Sequence, residues 1–271
     1  MEQILKTVVN AGLVKTVKVL HITDAHLVDG DENDTGYLVD LLKMRKDTFI
    51  KEGKHAPKTQ NEYLEEAFVI AEKEGAYPIL TGDIMDLNTS GNRKEMHRIC
   101  DGKEYMLTAG THEFQRSSCT PKCCPLEEPF PYYRDTRNAL MTEFPQWKLD
   151  FDNRIINGVN LIAVDNSQGF FTEQTYEGMK KEAEKALPMV LFMHIPLNDE
   201  RLHRPPTEGF LMSEEEFEIS EKAFEFIKSC PLIKATFSGH WHCESNYPDH
   251  TPPTYVTPGL FAGICRIIEI K

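Results

Sequence analysis

Five short Asp/His motifs, each placed where an apolar β-forming run ends, constrain this 271-residue chain more than any other feature. In chain order they are Asp24-Ala25-His26, Gly82-Asp83-Ile84-Met85-Asp86, Gly110-Thr111-His112-Glu113, the lone His194 of Phe192-Met193-His194, and Gly239-His240-Trp241-His242. The runs ahead of them cover residues 17–22, 77–81, 105–109, 189–193 and 233–237. Converging strand ends would gather these carboxylates and imidazoles into one patch, with the motifs on loops of a strand-based scaffold.

The rest of the chain supplies that scaffold. Leu64, Ala67, Phe68 and Ala71 fall at helical spacing and Gly75 follows as a C-terminal stop, which is a βαβ rhythm. Residues 154–156 and 159–164 flank Asn157-Gly158, a strong hairpin signal, so part of the sheet must be antiparallel. A helix is expected over 172–186, and another from Ser213, where Ser-Glu-Glu-Glu reads as a capping box. Strand character returns at 254–256 and 266–270. The pattern is mixed α/β, with helices outside two sheets, and the length fits one domain spanning 1–271.

One segment breaks the rhythm. Residues 114–147 carry Pro121, Pro125, Pro129 and Pro131 with Cys119, Cys123 and Cys124, and follow the third motif directly. A long irregular segment there is placed to overhang the site, with a short helix expected over 134–141.

Composition narrows the function. A net charge of −13 argues against a partner bound through a polyanionic backbone, and leaves small phosphorylated substrates open. Seven irregularly spaced cysteines do not form a secreted disulfide framework. Residues 1–18 lack a signal-peptide apolar core, and no run approaches the ~20 apolar residues of a membrane span, so the expected location is cytoplasmic with no membrane partner.

Divalent Zn, Mn and Fe accept imidazole nitrogen and carboxylate oxygen, and two such ions ~3.5–4 Å apart can clamp a phosphate. In an extended chain, positions one and three face the same side, so Asp24 with His26, and His240 with His242, are each expected to reach one ion by the pleat. Taken singly, an Asp after a strand is ordinarily a turn or cap residue and a lone His a packed one. Their joint occurrence in this order favours metal.

The ordered set resembles the calcineurin-like metallophosphoesterase superfamily, whose pattern is D-x-H, G-D-x-x-D, G-N-H-[DE], a lone His and G-H-x-H. Residues 164–174 also resemble the segment ahead of the lone His in its cyclic-phosphodiesterase and purple-acid-phosphatase-like branches. The resemblance implies a four-layer αββα sandwich and a dinuclear hydrolase. One metal would be held by Asp24, His26 and His242, with Asp83 bridging to a second on His194, His240 and residue 111. His112 would assist the leaving group, a metal-bridging hydroxide would attack, and Asp86 or Glu113 would orient histidines. The implied substrate is a small phosphodiester or phosphomonoester, with a lean toward diesters such as cyclic nucleotides or glycerophosphodiesters.

Thr111 departs from the pattern, since the family has Asn there. A water in place of the amide is the favoured outcome; ligation by the hydroxyl, or a weakened second site, are the others. A weakened site would leave a binding or scaffold protein, although a scaffold has no need of His112. A redox-responsive cover formed by Cys119, Cys123 and Cys124 is a third reading, with ordinary reduced thiols the default. Arg201, His203 and Arg204 could grip a phosphate or line a solvated loop, and Asp29, Asp31, Glu32 and Asp34 read as solvated. His21 lies inside the first strand, and His55, His97 and His250 are expected at the surface.

Overall fold

Hydrophobic runs alternating with helices build two mixed sheets in the computed structural model, which describes residues 1–34, 36–53, 56–114, 129–203 and 213–271. The first sheet has the order β1 (Gln3–Val9), β11 (Ile264–Ile270), β2 (Val17–Ile22), β3 (Tyr77–Thr81) and β4 (Met106–Thr108). Strands β2, β3 and β4 are parallel, and β11 runs antiparallel to β2. The second has the order β5 (Phe151–Ile156), β6 (Val159–Val164), β7 (Met189–Phe192), β8 (Ile233–Ser238), β10 (Thr254–Val256) and β9 (Ser245–Tyr247). Its four inner strands are parallel, and β5 and β9 pair antiparallel at the two edges. The β5–β6 hairpin turns on Asn157 (φ 46°) and Gly158 (φ 88°), the two left-handed positions a tight hairpin requires.

The apolar clusters define the layers. Val17, Val19, Ile79 and Met106 of the first sheet pack on Leu161, Ala163, Val190, Phe192, Ala235 and Phe237 of the second. The first sheet's other face, with Leu20, Ile22, Leu80 and Leu107, carries α2 (Gln60–Glu74) and α3 (Ser90–Cys100). The second sheet's outer face, with Ile162, Val164 and Leu191, carries Met179 of α5 (Glu173–Ala183) and Ala223 and Ile227 of α6 (Glu214–Ser229). Helix, sheet, sheet and helix therefore stack as four layers.

Local signals set the helix ends. Thr59 and Ser213 each close a capping box, and Gly75 takes the left-handed stop; loss of such a cap typically costs about 1 kcal/mol. The helix inside the Pro/Cys-rich segment, α4 (Pro129–Glu143), is longer than expected, while Cys119, Cys123 and Cys124 lie outside the described residues.

Three elements have weak sequence signals. In β1 only Leu5, Thr7 and Val9 face inward, while the apolar Ile4 and Val8 beside them are exposed, so the run shows no apolar/polar alternation. In α1 (Tyr37–Glu52), Val39, Met44 and Ile50 are exposed while Leu41, Leu42 and Phe49 are buried, which blurs the helical stripe. Helix α3 buries Gly91 and Asn92 beside Met96 and Ile99. Among the described residues, no helix is long and apolar enough to cross a membrane.

Candidate metal centre

The motif loops are stapled to one another by backbone hydrogen bonds. Asp24, His26 and Leu27 donate N–H to the carbonyls of Gly82, Asp83 and Ile84 at 3.0, 2.9 and 2.8 Å, and Gly239 donates to His194 at 3.1 Å. Such close approach excludes side chains at the crossings. A Cβ at Gly239 would overlap Thr23 Oγ1 and Asp24 Oδ2, and one at Gly110 would overlap Asp83.

This geometry corrects the expectation that the pleat turns paired ligands to one side. Among the described residues, seven non-glycine positions have positive φ, and five of them are Asp24, His26, Asp83, His240 and His242. In the first, second and fifth motifs the side chains converge through left-handed steps beyond the strand, whereas His194 and His112 have negative φ. Backbone strain of this kind costs of order 1–3 kcal/mol per residue, and persists where the surroundings enforce it.

Two groups of ligand-type atoms result, each gathered within 4.8 Å: Asp24, His26 and His242, and Asp83, His194 and His240. In the first, His26 Nε2 lies 3.1 Å from His242 Nε2, and Asp24 Oδ1 lies 3.8 and 3.4 Å from those nitrogens. In the second, His194 Nε2 lies 3.1 Å from Asp83 Oδ2 and 3.0 Å from His240 Nδ1. Asp83 stands between the groups, with Oδ2 also 4.0 Å from His26 Nε2.

Outer contacts choose which ring nitrogen faces inward. His194 Nδ1 lies 2.8 Å from the Thr81 carbonyl, which can only accept, so its N–H points there and Nε2 is the nitrogen that, once unprotonated, can offer a lone pair to the site. His26 Nδ1 is 3.0 Å from Asp86 Oδ1, and His242 Nδ1 is 3.4 Å from Glu52, with the same consequence. Asp24 Oδ2 is occupied by Thr23 Oγ1 and the His240 N–H, at 2.6 and 2.9 Å, whereas its buried Oδ1 makes no hydrogen bond.

The charges are interdependent. Burial opposes ionisation of Asp24 and Asp83, but His242 for the former and His194 for the latter hold both below the usual carboxylate range. Burial likewise opposes a charge on His194, which the Asp83 carboxylate nevertheless pushes up to about 10. His240 is driven down to about 3 by burial and by His194. Protons on some imidazoles thus balance the carboxylates. A divalent cation bound by the same atoms would replace those protons, so the buried N/O donor set fits such an ion.

His112 lies beside both groups. Its Nδ1 is 2.9 Å from the Asp86 carbonyl and 3.1 Å from Asp86 Oδ1, and its Nε2 is 4.0 Å from Asp83 Oδ2. Burial opposes a charge here too, but Asp83 and Asp86 raise it to about 9. Thr111 Oγ1 is 3.4 Å from both Asp83 oxygens, a long contact.

The two acidic residues expected to orient histidines diverge. Asp86 touches His26 and His112. Glu113 does not act on an imidazole; its buried carboxylate accepts N–H bonds from Asp83, Ile84, Met85 and Gly110 at 3.0, 2.6, 3.2 and 2.7 Å. Burial and Asp83 push Glu113 up to about 7, while the amide donors favour its ionised form. It shapes the loop that carries Asp83.

Helix α1 brings three residues that motif reading missed. Arg45 binds Asp86, Glu52 approaches His242, and Phe49 stacks on His26 with ring centres 4.3 Å apart. The sequence signal available was an aromatic and an arginine four apart on one helical face. Elsewhere, Trp241 Nε1 donates to Asp199 at 2.7 Å, and Asp199 also accepts from Arg201. His203 packs on Phe224 of α6 and belongs to neither group, and Arg204 and His55 lie outside the described residues. His21 is buried between Thr81 and Thr257, whereas His97 and His250 are not buried.

A sequence model of the calcineurin-like phosphoesterase family matches residues 17–244. Comparison with curated proteins returns no match. Similar solved structures include a Staphylococcus aureus protein assigned as a 5′-nucleotidase, at 12% identity and TM-score 0.45, covering 90% of this chain and 49% of that one. A dimetal phosphatase from Danio rerio matches at 12% identity and TM-score 0.49, covering 91% and 88%. NAD nucleotidase from Haemophilus influenzae matches at 12% identity and TM-score 0.39, covering 93% and 52%. This chain thus spans about half the length of the Staphylococcus aureus protein (49%).

Proposed function

The chain belongs to the calcineurin-like phosphoesterase family, a family of metal-dependent hydrolases, and from that membership we propose that it hydrolyses a small phosphoester using two divalent cations. The observation that carries this reading is the pair of adjoining His/Asp groups with Asp83 between them. Asp24, His26 and His242 would hold one ion, His194 and His240 the other, and Asp83 both. When bound, the ions supply Lewis acidity toward the phosphate and an acidified water nucleophile.

The chain's own residues supply the rest. Both acceptors around His112 Nδ1 belong to Asp86, so that nitrogen carries the N–H and Nε2 is the atom able to deliver a proton to the departing oxygen. Glu113 and Gly110 fix the Asp83 loop, and Thr81 fixes His194. With a net charge of −13, the substrate in this reading is a small phosphorylated molecule, with a lean toward diesters, rather than a nucleic acid polymer.

Thr111 is the one position that favours a second reading, a binding protein with weakened turnover. Its hydroxyl reaches toward Asp83, and in the enzymatic reading a water completes the second ion's shell. Metal analysis of purified protein, with hydrolysis of bis-p-nitrophenyl phosphate and p-nitrophenyl phosphate in Mn²⁺, decides between them. Two ions per chain and turnover of either ester are expected; an empty second site with no turnover supports the binding protein. A count of one ion that Thr111→Asn restores to two would refute the water.

A further inference from the structure

We propose that Arg45, from the middle of α1, is a positioning residue that sets both His26 and His112 through a two-point grip on Asp86. The proposal rests on the phosphoesterase reading above. Arg45 Nε donates to Asp86 Oδ2 and Nη2 to Asp86 Oδ1, both at 2.7 Å, a fork that fixes the plane of the carboxylate as well as its place. That plane matters because one oxygen, Oδ1, lies 3.0 Å from His26 Nδ1 and 3.1 Å from His112 Nδ1. Rotation of the carboxylate would release both rings together.

A second contact path runs through an aromatic ring. The Arg45 guanidinium carbon sits 4.7 Å from the centre of Phe49, which packs on Phe261 and stacks on the ring of His26 at an inclination of 21°. His26 is therefore held at its edge by Asp86 and on its face by Phe49, and Arg45 touches both supports. The guanidinium also supplies the countercharge of a fully buried carboxylate. Asp86, His26 and His112 lie close enough together to resemble a third metal group. With the fork already on both Asp86 oxygens, they form a hydrogen-bonded hub instead.

The test uses the full chain with Arg45→Met, which keeps length and removes the fork, and Arg45→Lys, which keeps charge and removes the fork. Calorimetric titration with Mn²⁺ reads the His26 arm, and the ratio of kcat on phenyl and p-nitrophenyl esters reads the His112 arm. The expected result for Arg45→Met is Mn²⁺ binding weakened about 10- to 100-fold. Its kcat should fall at least about tenfold more on the phenyl ester, whose leaving oxygen needs the proton, with KM little changed. Arg45→Lys should fall between Arg45→Met and wild type on both readouts.

A folded Arg45→Met protein with wild-type Mn²⁺ affinity and an unchanged ester ratio overturns the proposal, even if its Tm has dropped. Should Arg45→Met fail to fold, Arg45→Lys is judged by the same two readouts. A wild-type protein that binds Mn²⁺ but cleaves neither ester would reject the phosphoesterase reading alone, and Mn²⁺ affinity would then decide Arg45. Absence of Mn²⁺ binding by wild type would reject both.

Discussion

Asp24 and His240, 216 residues apart in sequence, are joined directly: Asp24 Oδ2 accepts the His240 backbone N–H at 2.9 Å. One carboxylate oxygen thereby ties the first motif loop to the last. The other, Oδ1, is left facing His26 and His242.

Gly239 makes that junction possible, because any Cβ there would fall on Thr23 Oγ1 and Asp24 Oδ2. Gly239→Ala is expected to destabilise the fold by about 1–3 kcal/mol and to weaken divalent-cation binding. Urea unfolding and Mn²⁺ titration check this; wild-type values in both would show that the loops need not approach so closely.

Glu113 offers a different test of the scaffold. Gln in its place brings an NH₂ group toward four backbone N–H donors that now share a carboxylate. A loss of about 3 kcal/mol or more is expected, since unpaired buried donors cost about 1–3 kcal/mol each. Thermal unfolding of Glu113→Gln measures it, and a Tm unchanged from wild type would contradict the role assigned to this carboxylate.

His21, a member of neither metal group, sets a pH dependence of its own. Burial, and the positive charge of Arg266, lower it to about 3 from an ordinary value near 6.5. Between those values the unfolded chain takes up a proton that the folded chain refuses. Its contribution is therefore intact above about 6.5 and is lost as the pH falls toward 3, with a slope of at most about 1.4 kcal/mol per pH unit. Denaturant unfolding from pH 4 to 7 should show a shallower loss for His21→Gln than for wild type; parallel curves would indicate that His21 is protonated in the folded protein.

Cation uptake should expel protons. His194 is raised to about 10, burial opposing and Asp83 prevailing, so near neutral pH it must shed a proton to bind an ion. Mn²⁺ affinity should rise about tenfold per pH unit for each proton released, and calorimetry in buffers of differing ionisation enthalpy counts those protons. In chelated protein the stabilisation from protonated His194 is complete below about 6.5 and fades as the pH climbs through about 10. EDTA should therefore cost more Tm at alkaline than at neutral pH, and a pH-independent EDTA effect would contradict this charge assignment.

What the amino-acid sequence determined by itself was everything governed by neighbours a few residues apart. Apolar runs place the strands beneath the motifs, Asn157-Gly158 specifies the β5–β6 turn, Gly75 stops one helix and Ser213 starts another, because pleat, turn and cap are local backbone properties. The order of motifs likewise marked Asp24, His26, Asp83, His112, His194, His240 and His242 as one set. Tertiary structure alone decided how they meet. Left-handed loop steps, not the pleat, converge Asp24 with His26 and His240 with His242, since each loop bends to bond with loops far away in sequence. Arg45 and Asp86 are 41 residues apart, on a helix whose apolar stripe is blurred by exposed Val39, Met44 and Ile50. No periodicity records that contact, because it is made by the packing of α1 over the site, and packing depends on the whole chain.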